Sequence, residues 1–308
     1  MANLALNLVR LARPAQWVKG VFVLLGPLYG FADKQPINFW SVAACFMAFA
    51  FASSGCYVIN DLRDVEADKV HPRKKKRPLA SGEVTVGVAR VWAIVLLVAA
   101  WLCTFVPVVI DGAVQNHMMW TAALVAVYVL NTILYSLRLK HLVIVDVLSL
   151  SLGFVLRVLG GCAAAGVEPT TWLLNCTFFV SMFLAFGKRL GELRSLGEAA
   201  GAARGVLRIY TINLLQMAMV VTAVAALVTY AGYAQAKADR YTMHYAGWGF
   251  NILWLTMLPA TYALMRSIVQ MERGKYDDPT ELAYKDGGFR AAVVVFGVLT
   301  VGAMLLVR

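Results

Sequence analysis

Three aspartates that follow an apolar stretch have the spacing of a metal-binding helix face. Asp61, Asp64 and Asp68 stand at positions i, i+3 and i+7. A helix that continues through them would place the three carboxylates within about 60° of one another. Carboxylates this close repel each other unless a cation lies between them. Mg²⁺ prefers such hard oxygen ligands and shares itself with substrate phosphates. The spacing therefore predicts that these aspartates bind Mg²⁺ at a catalytic site.

A dense run of cations follows the aspartates. Residues 73–77 read Arg-Lys-Lys-Lys-Arg, and Pro-Leu-Ala-Ser-Gly follows at 78–82. Lys and Arg bind phosphate oxygens through charge-assisted hydrogen bonds. The alternative is a solvated loop that helps to set membrane topology, and for residues 74–76 alone this alternative is the better one. The aspartate face joined to the basic run favours metal and phosphate chemistry.

The elements that must position these residues are membrane-spanning helices. The chain has 308 residues, of which 60% are apolar and 15% are charged, against about 45–50% and about 25% in soluble domains. Stretches long enough to cross a bilayer recur along the whole length. They predict an all-α integral membrane protein with nine helices, at 17–32, 39–59, 88–110, 118–137, 142–165, 171–187, 207–232, 247–270 and 289–307. No linker divides the chain, so a single membrane domain over residues 1–308 is predicted, with cap loops at about 60–87 and 187–206.

The distribution of charge predicts the orientation. Most of the 28 Lys and Arg residues fall before the first predicted helix or in the loops after the second, fourth, sixth and eighth. Cytoplasmic loops collect Lys and Arg, so the N-terminus and the aspartates are predicted to face the cytoplasm. The five cysteines lie in apolar stretches without a CxxC pair or a Cys/His cluster, so neither a zinc site nor a disulfide framework is indicated. Residues 277–280 read Asp-Asp-Pro-Thr, which is typical of a turn.

The aspartate motif resembles that of the UbiA superfamily of intramembrane prenyltransferases. Members carry Asn-Asp-x-x-Asp-x-x-x-Asp after the second helix, then a basic stretch and Arg-Pro-Leu-x-Ser-Gly. This chain has Asn60, Asp61, Asp64 and Asp68, and then Arg77–Gly82. The resemblance covers essentially the whole chain. It implies an all-α bundle whose cavity opens to the membrane, capped by the loops after helices two and six.

The loop after the sixth predicted helix departs from the aromatic prenyltransferases of that family. They carry a second aspartate-rich motif there, whereas this chain reads Gly-Lys-Arg-Leu-Gly-Glu over 187–192. A site that brings two phosphorylated substrates together needs direct cations, because the anions otherwise repel each other. The element resembles the branch of the superfamily that transfers phosphoribose to polyprenyl phosphate. Lys188 and Glu192 also have the spacing of a helical ion pair, but such a pair does not explain the missing aspartates.

Two charged residues, Asp146 and Arg157, are predicted inside a span. Such residues are costly in lipid and usually mark a cavity for water or ligand. The alternative is that each pairs with a neighbouring helix for structure. Their spacing puts both on one helix face but about 16 Å apart along the axis, which excludes a direct salt bridge. For Arg157 we favour a phosphate contact, since a guanidinium matches phosphate oxygens bidentately.

The predicted function is a Mg²⁺-dependent transfer of 5-phosphoribosyl from phosphoribosyl pyrophosphate to a polyprenyl phosphate of the decaprenyl type. By resemblance, the product would serve cell-surface polysaccharide synthesis, and the enzyme would lie in the bacterial cytoplasmic membrane with its active site facing the cytoplasm. The partners are these two substrates and the membrane; nothing indicates nucleic acid, and a homo-oligomer stays open. The alternatives are an aromatic prenyltransferase that uses polyprenyl diphosphate, and a non-enzymatic transporter.

The predicted site residues fall into two sets. Asp61, Asp64 and Asp68 are the catalytic and metal-binding residues. Tyr135 and Lys140 are predicted substrate contacts. The equally good alternatives are that Tyr135 anchors the helix at the membrane interface and that Lys140 serves only membrane topology. The full set of predicted substrate contacts is Lys19, Asn60, Lys74, Arg77, Tyr135, Lys140, Arg157, Lys188, Arg189 and Glu192.

Overall fold

The computed structural model describes residues 2–32, 35–70, 74–106, 115–197, 205–276 and 281–306. The predicted turn at 277–280 lies outside these residues, as do the end of the predicted helix 88–110 and parts of both predicted cap loops.

The described chain is almost entirely helical. Its α-helices are α1 (Ala2–Ala12), α2 (Val21–Ala32), α3 (Phe39–Val70), α4 (Val86–Cys103), α5 (Gln115–Leu137), α6 (Val145–Ala165), α7 (Thr171–Leu196), α8 (Ile212–Ala236), α9 (Ala238–Tyr241), α10 (Met257–Glu272), α11 (Leu282–Lys285) and α12 (Gly287–Leu306). Short 3₁₀ helices cover Pro14–Gly20, Lys74–Lys76, Leu139–His141, Gly205–Arg208 and Ile252–Thr256. The predicted all-α class is confirmed, apart from one short hairpin.

Eight helical segments of the described residues are long and apolar enough to cross a membrane. They correspond to the last eight predicted spans. The predicted first span, 17–32, begins in the 3₁₀ helix Pro14–Gly20 and becomes α-helical only at Val21. The resulting α2 has 12 residues, short of the roughly 20 that a bilayer requires. A ninth span therefore stays a prediction.

Helix α3 is longer than the apolar stretch that predicted it. It continues past the expected end at residue 59 to Val70, for 32 residues in all. At 1.5 Å per residue this is about 48 Å, more than the roughly 30 Å hydrocarbon core of a bilayer. Residues 60–70, predicted as the start of a cap loop, are therefore a helical extension. The likewise extended α7 carries residues 187–196, which open the second predicted cap loop.

The chain forms two compact units. The first comprises Met1–Leu137 and Gly153–Pro169, and the second comprises Arg138–Leu152 and Thr170–Arg308. In the first unit, α2 and α6 pack so closely that a side chain at Gly161 would meet the carbonyl of Val23. In the second, α7 and α8 pack around Phe183, Leu190 and Leu215. The single domain over 1–308 stays a prediction.

An antiparallel hairpin joins α9 to the 3₁₀ helix before α10, and the sequence reasoning missed it. Strand β1 (Thr242–Tyr245) pairs with β2 (Trp248–Asn251). The connecting residues Ala246 and Gly247 both have positive φ, 51° and 79°, as a two-residue type I′ turn requires. The predicted span 247–270 therefore begins as a strand and becomes α-helical only at Met257.

Candidate active site

The extension of α3 brings two of the predicted aspartates onto shared arginines. Asp61 and Asp68 are 2% and 3% exposed. Nη1 of Arg77 donates to Oδ1 of Asp61 at 3.0 Å and to Oδ2 of Asp68 at 2.6 Å. Nη2 of Arg13 donates to both carboxylate oxygens of Asp61, at 2.6 and 2.7 Å. Two guanidinium groups thus compensate the charge of two buried carboxylates.

The remaining members of this cluster surround the same helix. Asn60 donates from Nδ2 to Oδ2 of Asp64 at 3.2 Å. Nζ of Lys74 lies 4.0 Å from Oδ1 of Asp68. Together these residues form the aspartate cluster, which comprises Arg13, Asn60, Asp61, Asp64, Asp68, Lys74 and Arg77.

The donor set of the aspartate cluster fits a magnesium ion. In the described residues no group of three or more His, Cys, Asp or Glu side chains is arranged to hold a metal. Mg²⁺ does not need such a group, because it is usually bound by one or two carboxylates together with waters and substrate phosphates. Asp61 and Asp64, one helical turn apart with the amide of Asn60 beside them, supply oxygen donors of this kind.

The segment before α2 docks onto α3 beside the cluster. Nε1 of Trp17 donates to Oγ of Ser54 at 2.9 Å, and that hydroxyl donates to the carbonyl of Ala12 at 2.7 Å. Nζ of Lys19 donates to the hydroxyl of Tyr57 at 3.4 Å. Lys19, predicted as a substrate contact, is therefore bound to a residue of α3 that lies about one helical turn before Asp61.

Tyr135 lies half-buried in the last turn of α5. The end of that helix is tied to α3, because Arg63 donates to the carbonyls of Ser136 and Leu137. Arg63 is one of the cations whose position suggested only membrane topology, and it has this structural contact as well.

Arg157 is buried in α6, with 6% of its surface exposed. Its Nη1 donates to the carbonyl of Gly153 at 2.9 Å, and its Nη2 donates to the hydroxyl of Tyr128 at 2.7 Å. The guanidinium carbon also lies over the rings of Tyr128 and Phe154, 4.4 and 5.6 Å from their centroids.

The second unit has a buried polar network of its own. Asp146, which has no exposed surface, accepts hydrogen bonds from Nε of Arg189 at 2.8 Å and from the hydroxyl of Tyr210 at 2.7 Å. Nη1 of Arg189 donates to Oε2 of Glu192 at 2.8 Å. Burial raises the pKa of Tyr210, and its hydrogen bond to the Asp146 carboxylate raises it further. The phenol is therefore protonated and donating at neutral pH.

Two further predicted contacts, Lys188 and Lys140, belong to the same unit. Lys188 is exposed on α7, beside the buried Arg189. Lys140 is half-buried in the 3₁₀ helix Leu139–His141, and its neighbour His141 lies 3.9 Å from where a side chain at Gly205 would begin.

Sequence reasoning missed three residues that make these contacts. Arg13 opens the Arg-Pro-Ala-Gln-Trp-Val-Lys segment at 13–19, which also resembles the phosphoribose-transferring branch, but only Lys19 of that segment was predicted as a contact. Tyr128 lies in an apolar span, where an aromatic residue is usually a packing residue. Tyr210 falls in the predicted span 207–232, where no motif singled it out, and the structure places it between two helices. Of the three, only Arg13 carried a signal in the sequence, because it belongs to that segment before the first predicted span.

Comparison with known proteins settles the family. Residues 20–293 match the model of the UbiA prenyltransferase family. This chain belongs to that family. The UbiA resemblance carried by the aspartate motif is confirmed, and the chain is an enzyme of the transferase class.

Named relatives of this UbiA member share most of its length. A decaprenyl-phosphate phosphoribosyltransferase of Corynebacterium glutamicum is 35% identical over 92% of this chain and 82% of its own. The enzyme of the same name from Mycolicibacterium smegmatis is 34% identical over 92% and 88%. That of Mycobacterium tuberculosis H37Rv is 32% identical over 98% and 95%.

Solved structures of UbiA homologues have the same fold. A homologue from Archaeoglobus fulgidus bound to DMAPP and Mg²⁺ superimposes with a TM-score of 0.68 at 14% identity, over 98% of both chains. The same homologue has been solved with GPP and Mg²⁺, with a TM-score of 0.66 at 15% identity, again over 98% of both chains. Divalent metal is thus bound by members of this family.

Proposed function

We propose that this UbiA member transfers the 5-phosphoribosyl group of phosphoribosyl pyrophosphate to a polyprenyl phosphate of the decaprenyl type. The observation that carries the proposal is that relatives named for this activity align with at least 92% of the chain at 32–35% identity. The chain also has a Lys-Arg pair at 188–189 in place of a second aspartate motif. These cations favour a reaction in which both substrates carry phosphate.

The reaction is a substitution at the anomeric carbon of the ribose. An oxygen of the lipid phosphate forms the new bond to that carbon from the face opposite the pyrophosphate. The bond from carbon to pyrophosphate oxygen breaks, and its electron pair leaves with pyrophosphate. The product is polyprenyl-phosphoryl-5-phosphoribose. Because the lipid phosphate is already an anion, no general base is needed, and catalysis is mainly positioning and electrostatic stabilisation.

The aspartate cluster is the proposed donor site. Asp61 and Asp64 would hold Mg²⁺, with Asp68 completing the site directly or through water. A bound Mg²⁺ supplies charge stabilisation for a leaving pyrophosphate. Arg77, Lys74 and Lys19 would contact phosphate oxygens, and Asn60 would orient the ribose or a phosphate through its amide.

The second unit supplies further proposed substrate contacts. Lys188 and Arg189 would hold phosphate groups, and Glu192 would orient Arg189, with which it is paired. Tyr135 in the first unit and Lys140 in the second are proposed contacts at helix ends. We also propose that the active site faces the cytoplasm of a bacterial cytoplasmic membrane.

Conversion of labelled donor tests the function. Membranes that contain the protein should convert labelled phosphoribosyl pyrophosphate and decaprenyl phosphate into a labelled lipid, and chelation of Mg²⁺ should abolish the product. Asp61→Asn and Asp64→Asn should each lower the rate at least about 100-fold, since even outer partners of metal ligands matter 10–100-fold. Glu66→Gln is the matched control, because Glu66 lies on the exposed side of the same helix.

Two outcomes would contradict the proposal. Full activity of the Asp61 and Asp64 variants would refute the metal assignment. A prenylated product from polyprenyl diphosphate and an aromatic acceptor, with none from phosphoribosyl pyrophosphate, would refute the substrate assignment in favour of an aromatic prenyltransferase.

A further inference from the structure

Arg157 differs from every other buried charged side chain of the described residues. Asp61, Asp68, Asp146, Arg189 and Asp286 each form an ion pair with an opposite charge. Within the described part of the chain, no carboxylate lies at ion-pair distance from Arg157; its partners are a hydroxyl, a carbonyl and two aromatic rings. Among the residues that the structure describes, dipoles and ring faces are therefore what solvates its charge.

An uncompensated guanidinium is costly to keep at this position. It lies inside a candidate membrane span, twelve residues after Val145. An arginine cannot lose its proton in a protein, so the charge persists. Cation–π contacts and two hydrogen bonds offset part of the desolvation. A charge retained in such surroundings usually serves a ligand.

The geometry indicates the chemistry of that ligand. Arg157 has five N–H donors, and Gly153 and Tyr128 accept from two of its nitrogens. A planar fork of N–H groups matches the oxygens of a phosphate. The Tyr128 hydroxyl accepts from Arg157 and retains its own proton for donation to an anion. Its ring is fixed in turn by an edge contact to Phe49, with centroids 5.4 Å apart.

We infer that Arg157, which is not a member of the aspartate cluster, forms a further phosphate subsite, and that Tyr128 is a positioning residue that aims its guanidinium. The inference rests on the proposed function, which supplies two phosphorylated substrates. The ligand is a phosphate group, either of the lipid phosphate or of phosphoribosyl pyrophosphate. Because one guanidinium fork binds one phosphate group, we expect the binding of one of these substrates to depend on Arg157 and the binding of the other not to.

Binding of the two substrates, measured separately, tests the subsite. The full-length protein in nanodiscs, with Mg²⁺, is titrated with labelled phosphoribosyl pyrophosphate and, in a second series, with labelled decaprenyl phosphate. Arg157→Met should weaken the affinity for one substrate at least about tenfold, the loss expected when a charged hydrogen bond is removed, and leave the other within about twofold. Tyr128→Phe should weaken the same substrate by a smaller factor, and Arg157→Lys should restore part of the affinity.

Thermal stability separates this role from a structural one. If Arg157 is kept for a ligand, Arg157→Met should melt no lower than the wild type without substrate, because an uncompensated buried charge is removed. It should also lose the rise in melting temperature that the dependent substrate gives the wild type. Arg90→Met, which removes an exposed cation of the same unit, is the control and should change neither property.

The outcomes separate this inference from the proposed function. Failure of the wild type to bind either substrate would overturn both. If the wild type binds both and Arg157→Met and Tyr128→Phe bind both normally, only the subsite is refuted. A lower melting temperature of Arg157→Met, with equal losses for both substrates, would make Arg157 a structural residue.

Discussion

At the scale of single residues, the aspartate cluster is held by a backbone conformation that costs energy. Arg13 has φ 54° and ψ 61°, the left-handed region, and it precedes a proline. A non-glycine residue held there costs about 1 kcal/mol or more. The two hydrogen bonds from Arg13 to Asp61 offset this conformational cost. Arg13 also occupies oxygens that the proposed function assigns to Mg²⁺.

Removal of Arg13 should therefore change metal affinity in a definite direction. A guanidinium and a divalent cation compete for the same carboxylate of Asp61, so Arg13→Ala should bind Mn²⁺ more tightly than the wild type, by about tenfold for an interaction of about 1.4 kcal/mol. The measurement is an electron paramagnetic resonance titration of the purified protein with Mn²⁺, in the absence of diphosphate. Arg10→Ala, an exposed neighbour on α1, serves as the control. Weaker binding by Arg13→Ala would mean that Arg13 organises Asp61 instead of competing for it.

At the scale of elements, the ends of the helices decide what the chain can do. The apolar stretch predicted α3 only to residue 59, because hydropathy marks what lies in lipid and not where the hydrogen-bonded helix ends. No Gly or Pro interrupts residues 57–70, so nothing local stops the helix. A local contact also sets the start of α12. Asp286 accepts a hydrogen bond from the backbone N–H of Phe289 at 2.8 Å, as an N-cap residue does.

Asp286 should link the stability of the protein to acid pH. Its carboxylate accepts from Arg266 at two distances of 3.1 Å, and this guanidinium lowers the pKa of Asp286 below its ordinary value. A lowered folded-state pKa stabilises the protein at neutral pH, and that contribution is lost as the pH falls through the folded-state value. Asp286→Asn keeps an N-cap side chain, since Asn caps about as well as Asp, but it loses the charged hydrogen bonds to Arg266. It should therefore lower the stability at pH 7 by about 1 kcal/mol, and the difference should shrink below about pH 4.

Thermal unfolding in detergent between neutral and acid pH measures this effect. Glu281→Gln, which breaks the exposed pair with Lys285 one turn away, is the control and should leave the melting temperature nearly unchanged. A constant difference between Asp286→Asn and the wild type at all pH values would show that the charge of Asp286 plays no part.

At the scale of the whole molecule, the order of the candidate spans predicts which segments share a side of the membrane. Five candidate spans, from α4 to α8, separate the basic 3₁₀ helix Lys74–Lys76 from the β1–β2 hairpin. If all five cross the membrane, the odd number of crossings predicts that these two segments face opposite sides, whether or not residues 17–32 also cross. The hairpin exposes Tyr245 and Trp248 by 86% and 74%, and such aromatic residues are typical of the membrane interface.

Cysteine labelling tests this arrangement. The cysteine of Tyr245→Cys should react with a membrane-impermeant maleimide in intact cells, whereas that of Lys75→Cys should react only after permeabilisation. The chain without an added cysteine is the control, since three of its five cysteines are buried and the other two are partly buried. Labelling of both positions in intact cells would contradict the predicted topology.

The sequence by itself determined the class of protein, the family and the face of α3 that carries the aspartates. These follow from hydropathy and from the helical repeat, which act over a few neighbouring residues. Tertiary structure alone decided the partners: Arg13 meets Asp61 across 48 positions, Arg189 meets Asp146 across 43, and Arg157 meets Tyr128 across 29. Buried charges select partners by the packing of distant helices, and no local spacing encodes that packing. For the same reason, only the fold revealed that Arg157 is buried without a carboxylate within reach in the described residues.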